Sequence, residues 1–176
     1  MKKFAMILAG SGVYDGSEIH EATLTMLAIM QHSGSYQCFA PDVDQHHVIN
    51  HLNGEEMKET RNVLVESARI ARGDVKKLTE FKPDDFDVLI MPGGFGVAKN
   101  LCDFAFKGAD CTVNPTVAEA VKLMHEAGKP IGALCISPVI ISKVLGDVEL
   151  TLGQDQGTID NVEKMGSRHT KTTHGE

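Results

Sequence analysis

Ile131-Gly132-Ala133-Leu134-Cys135-Ile136-Ser137-Pro138 is the stretch on which the reading of the fold turns. Ile131 to Leu134 is a short apolar run, as expected of a strand buried on both faces of a parallel sheet. From Ile136 to Leu145 the spacing favours helix, and Pro138 is tolerable there because it falls in the first turn, where no intrahelical N–H is required. Cys135 therefore stands where a buried strand bends sharply into a helix.

Outward from that corner the same pattern repeats. Phe4 to Ala9 is a continuous apolar run closed by Gly10-Ser11-Gly12, and Asp87 to Met91 runs straight into Pro92-Gly93-Gly94-Phe95-Gly96. Ser17 is a candidate cap for a helix with Glu18 in its first turn, continuing through Leu27 to Gly34. Tyr36 to Ala40 reads as a strand, Val43 to Glu59 as a polar, histidine-rich excursion, Arg61 to Arg72 as a helix with a solvated charged face, and Val75 to Leu78 as a short strand. Ala98 to Phe106 predicts a helix, and Asn114-Pro115 opens another that closes at Gly128. Val148 to Leu152, Ile159 to Met165 and Ser167 to Thr172 add strand, helix and strand. Strands alternating with helices predict right-handed βαβ units, and hence an α/β fold with a doubly wound, mostly parallel sheet. With 176 residues, one domain over 1–176 is the expectation.

Composition narrows the function classes. Hydrophobic residues at 42% and charged residues at 23% are ordinary for a globular chain. A formal charge of −7 disfavours nucleic acid or an anionic membrane as partner, since both reward clustered Lys and Arg. The apolar run behind Met1-Lys2-Lys3 is too short for a signal segment or a membrane span, which makes a cytoplasmic protein the expectation. Cys38, Cys102, Cys111 and Cys135 form no Cys-x-x-Cys pair, so four free thiols are expected.

In open α/β sheets ligands lie off the carboxyl ends of the strands, which points to Gly10–Glu21, Pro92–Gly96 and Cys135–Pro138. At the N-terminus of a helix the macrodipole and free amides favour thiolate, so Cys135 is a candidate nucleophile, partly ionised at neutral pH. The competing reading is a small packed hydrophobe. Gly93-Gly94 lets the backbone approach a ligand and offers amides to an oxyanion, or else simply ends a strand. The Gly10-Ser11-Gly12 turn suggests a dinucleotide site, but Asp15, Glu18 and Glu21 would repel a pyrophosphate. Those carboxylates suit proton exchange with a substrate or thiol, although acids also favour a first helical turn for structural reasons. His47 and His51 share helical spacing with no third ligand in view, so no metal site is expected. His169 is a candidate orienting base for Cys135, weighed against a structural role.

Four motifs in order, Gly-Val-Tyr-Asp-Gly-Ser-Glu-Ile-His-Glu (12–21), Thr-Arg-Asn-Val-Leu-Val-Glu-Ser-Ala-Arg-Ile-Ala-Arg-Gly (60–73), Pro-Gly-Gly-Phe-Gly-Val-Ala-Lys-Asn-Leu (92–101) and Gly-Lys-Pro-Ile-Gly (128–132), resemble the enhancing-lycopene-biosynthesis (ElbB) family. That family belongs to the PfpI-like, class I glutamine amidotransferase-like superfamily. The resemblance implies a flavodoxin-like sandwich with the nucleophile at Cys135 and its acidic partner at Glu21 or Glu18, Glu21 being favoured. It also implies cofactor-independent glyoxalase III-type lyase activity converting glyoxal, a small dicarbonyl, to glycolate, together with an association with isoprenoid biosynthesis. Gly94, Phe95 and Ile136 are the expected oxyanion and substrate-binding positions, and a homodimer is common in the superfamily. Many relatives carry a histidine directly after the nucleophile, where this chain has Ile136, which weakens an amidotransferase-like hydrolase. A non-enzymatic redox-sensing or regulatory protein using the same cysteine is the other alternative. ElbB-like chains continue with a further strand segment and closing helix, so 1–176, ending at Gly175-Glu176, is expected to lack them.

Overall fold

Along the first strand, side chains alternate between two apolar faces, and this alternation organises the molecule. In the computed structural model, which describes residues 1–172, β1 (Lys3–Ile7) sends Ala5, Ile7 and the following Ala9 into one core and Met6 and Leu8 into another. The Met6 and Leu8 side is covered by α1 (Ile19–Gln31), through Ala22, Met26 and Ile29, and receives Cys38 from β2 (Ser35–Ala40). Next come α2 (Val63–Ala71), which Asn62 caps by accepting from Val65 N–H, and the short β3 (Val75–Lys77).

The larger core lies on the opposite face. There Leu89 and Met91 of β4 (Val88–Met91) pack with Val117, Val121 and Met124 of a helix over Pro115–Glu126, and with Val139 and Ile140 of another over Pro138–Leu145. Each fully buried aliphatic side chain of this kind contributes about 1.5–3 kcal/mol. Between the two helices runs β5 (Ile131–Ala133).

All five strands are parallel, in the order β3-β2-β1-β4-β5. The chain moves outward from β1 to β3, then returns to the other side of β1 with β4 and continues to β5. The doubly wound α/β sheet expected from the alternation is therefore the fold observed. Its switch point lies between β1 and β4, where loops leave in opposite directions and open a crevice.

Three expectations are corrected. Ala98 to Phe106 is not one helix: Val97–Leu101 forms a π-helical turn, the chain extends at Cys102, and α3 (Phe104–Lys107) follows as a single turn. The Pro115–Glu126 and Pro138–Leu145 helices are thus α4 and α5. The last two strands, β6 (Glu149–Leu150) and β7 (Arg168–His169), pair only with each other around α6 (Gln156–Lys164) and do not extend the main sheet. The charged face of α2 is not wholly solvated, because Glu66 is buried and bonded to Arg69 at 2.8 Å. Gly175 and Glu176 lie outside the described residues.

Candidate active site

The corner at Cys135 is built by pairing that stops and then turns back. Leu134 N–H donates to Met91 O at 3.0 Å, the last link to β4, and Ser137 N–H returns to Leu134 O at 2.9 Å. The buried Ser137 hydroxyl donates to Pro92 O at 2.7 Å and ties the start of α5 to the β4 loop. Between these anchors Cys135 takes φ +55°. Among the described residues only Ser33 and Arg72 are other non-glycines with positive φ, and both sit at helix ends, where that conformation is ordinary. At Cys135 it costs about 1–2 kcal/mol and aims the thiol out of the fold. The residue is exposed.

Glu21, in the first turn of α1, is the carboxylate that reaches this thiol. Its Oε2 accepts from Gly93 N–H at 2.7 Å, and the carboxylate lies near enough to Cys135 for its charge to act on the thiol. Gly93 is wedged between the two groups. A Cβ there would stand 2.8 Å from Glu21 Oε2 and 3.0 Å from Cys135 Sγ, and closer still to Cys135 Cβ. Gly93→Ala is expected to push Glu21 and Cys135 apart and lower any Cys135-dependent turnover by at least about 10²-fold, the usual penalty for misplacing reacting groups by an ångström. Circular dichroism should stay near wild type, and a variant of full activity would show that the close approach is dispensable. The neighbouring Gly94, at φ +101°, has no room for a side chain against the backbone of Gly16 to Glu18. Backbone bonds from Glu18 N–H to Gly93 O and from Gly96 N–H to Gly16 O, both 2.9 Å, zip the β1 and β4 loops together there.

The electrostatics correct one expectation. The amides of Gly94 and Ile136 do reach the sulfur and favour thiolate. Although the residue presents surface to solvent, the walls of the cleft partly desolvate its sulfur, and this desolvation together with the repulsion of the Glu21 carboxylate pushes the Cys135 thiol up rather than down. A partly ionised nucleophile at neutral pH does not follow. The resting pair is a protonated thiol beside a carboxylate, which is the arrangement of a nucleophile waiting for a general base.

The other expected residues separate. Glu18 is not at the thiol: it, rather than Ser17, caps α1, accepting from Glu21 N–H at 2.7 Å, and its second oxygen pairs with His20 Nδ1 at 2.8 Å. That histidine bond is the main reason the Glu18 carboxyl is held low. Ser17 instead accepts from Ala9 N–H at 2.8 Å. His169 lies in β7, paired with Leu150, and no contact joins it to Cys135; its buried Nε2 has no partner among the described residues. Phe95 spends its amide on Val13 O at 2.8 Å, so its contribution is its exposed ring. His51 accepts from Tyr14 N–H at 3.2 Å, and His47 packs against His46 and Phe106.

A cleft of about 830 Å³ opens above the thiol. Val13, Phe95, Ile136 and Leu152 give it an apolar lining, and Asp155 is the charged residue on its wall. Leu152 and Asp155 come from the β6–α6 connection and carried no sequence signal, because only the tertiary fold brings them to the cleft. Gly93 was visible only as a strand-ending turn. Ser137 reads in sequence as a helix-start serine, and nothing local reveals its bond to Pro92.

The sequence model of the DJ-1/PfpI family matches residues 46–146, and that span includes Gly93, Gly94 and Cys135. The chain belongs to the DJ-1/PfpI family. A solved structure, an isoprenoid biosynthesis protein with an amidotransferase-like domain from Ehrlichia chaffeensis, superposes with a TM-score of 0.91 at 42% identity, over 98% of this chain and 79% of that one. The human glutamine amidotransferase-like class 1 domain-containing protein 3, mitochondrial, and the rat ES1 protein homolog, mitochondrial, are each 46% identical over 177 residues. The alignments take in 95% of this chain but only 66% of those proteins. The chain thus spans just under two thirds of the length of these curated relatives. Their names correct the cytoplasmic placement: both are mitochondrial proteins, which conflicts with it. The apolar run behind Lys3 is a core strand and carries no information on compartment.

Proposed function

We propose that this DJ-1/PfpI protein is a cofactor-independent glyoxalase of the ElbB type, converting glyoxal to glycolate through Cys135 and Glu21. The observation that carries the reading is a thiol on the wall of an apolar cleft with, across Gly93, a carboxylate that Gly93 N–H orients. A small uncharged dicarbonyl suits that cleft, since no cation lines it among the described residues.

As Glu21 takes the thiol proton, sulfur bonds to one aldehyde carbon and the carbonyl π electrons pass to oxygen. The Gly94 and Ile136 amides stabilise the oxyanion, which becomes the hydroxyl of a hemithioacetal on protonation. Glu21 then removes the C–H proton of that carbon while the second carbonyl oxygen takes up a proton, giving an enediol, and returns a proton to the neighbouring carbon as the first hydroxyl gives its proton up to solvent. The product is a hydroxyacetyl thioester, in which one carbon has been oxidised and the other reduced with no outside electrons. Water hydrolyses it to glycolate and restores the thiol.

Glyoxal turned over in D₂O is expected to give glycolate carrying deuterium on its methylene carbon, because the migrating proton exchanges on Glu21. Glycolate free of carbon-bound deuterium would overturn the enediol route in favour of a direct hydride shift, and absence of glycolate would overturn the activity itself. The redox-sensor alternative is disfavoured because its thiol must be ionised at rest, whereas this one is held protonated. The similarity to the Ehrlichia protein supports an association with isoprenoid biosynthesis.

A further inference from the structure

Cys102 and Cys111 lie in the larger core, away from the cleft, and the reaction above uses neither. Cys102 ends the π-helical turn, its N–H bonded back to Val97 O at 3.2 Å, and its antiparallel bridge partner is Val113. Asp103 N–H to Thr112 O, at 3.2 Å, and Asn114 N–H to Leu101 O, at 2.8 Å, clamp the two segments on either side of that bridge. Cys111 follows the turn Gly108–Asp110 and is two residues before Val113, so the two thiols are diagonal neighbours on one face of the clamp, with the Cys102 S–H directed at Val97 O at 3.3 Å.

We propose that Cys102 and Cys111 form a reversible disulfide, a thiol-oxidation site separate from Cys135. Both members are nearly inaccessible, at 5% and 2% exposure, so the oxidant class that fits is a small peroxide rather than a bulky disulfide. The two thiols are not equivalent. The neighbouring Cys102 thiol and the Lys143 ammonium, itself bonded to Ala109 O at 2.8 Å, pull the Cys111 thiol down, with burial and the Asp103 carboxylate in opposition. The Cys102 thiol is pushed up by the same pairing and by burial. Cys111 is thus the attacking sulfur and Cys102 the resolving one.

The Cys111 thiolate attacks a peroxide oxygen, the O–O bond breaks, and a sulfenic acid forms as hydroxide leaves and takes up a proton. Cys102 sulfur then attacks the sulfenic sulfur, forming the S–S bond and releasing the second oxygen as water, with the Cys102 proton accounted for in that water. Overall two thiols and one hydrogen peroxide give one disulfide and two waters.

The test uses the full chain treated with hydrogen peroxide, then quenched, unfolded, alkylated, digested and mapped by mass spectrometry. The expected result is a Cys102–Cys111 linked peptide that dithiothreitol abolishes, with both residues missing from the alkylated fraction and Cys38 still alkylated. The same treatment with glutathione disulfide should leave Cys102 and Cys111 alkylatable. Full alkylation of both after a peroxide dose that has oxidised Cys135 would overturn the proposal. So would Cys111 recovered as sulfinic acid beside a free Cys102.

Discussion

Cys135→Ser is expected to lower glycolate formation from glyoxal by more than about 10⁴-fold while leaving the fold intact, the scale on which losing a nucleophile acts in comparable enzymes. Serine is close to isosteric with cysteine and can occupy the same positive-φ corner, so the cleft, the Gly93 bond to Glu21 and the packing of α5 should persist. What changes is the atom. A hydroxyl holds its proton far more tightly than a thiol, and a carboxylate is too weak a base to help it at neutral pH. Glycolate production by the serine variant within tenfold of wild type would show that Cys135 does not carry the reaction.

Glu21→Gln should lower turnover by roughly 10³-fold, within the usual range for removing a general base. The amide keeps the shape of the carboxylate and its oxygen still accepts from Gly93 N–H, so the geometry changes little. The sign of the thiol shift supplies a second readout. Glu21 raises the Cys135 thiol through the negative charge it holds nearby. Without that charge the thiol ionises at lower pH, so iodoacetamide should label Cys135 faster at pH 7 than in wild type, and the labelling curve should move towards acid. Turnover and thiol reactivity then move in opposite directions. A merely structural Glu21 would slow both, and that outcome would remove it from the proton path.

Much of this site was legible before any coordinates. Cys135 could be found because a strand signal, a proline and a helix signal converge on one residue, and such local patterns survive folding. The preference for Glu21 over Glu18 could not be settled by pattern alone. Both fall near the start of α1, and only the capping geometry commits Glu18 to Glu21 N–H and His20. The thiol's direction of titration was misread for a related reason. Helix-terminal amides are a local feature, whereas the opposing burial and the Glu21 carboxylate arrive from elsewhere in the chain. The π-helical turn at Val97–Leu101 was hidden because its composition is that of an ordinary helix. The fold class itself came through because both faces of the sheet are apolar and the strands read as continuous runs.

Glu21, Gly93 and Cys135 come from the start of α1, the loop after β4 and the corner after β5, the first two separated by 72 positions. No short fragment of the chain contains all three. A molecule with either half of the sheet frayed keeps its cysteine but loses the base that serves it, so the thiol there behaves as an ordinary solvent-facing one. Competence for chemistry is therefore as all-or-none as the closing of the sheet, and a partly folded population contributes reactive sulfur without contributing turnover.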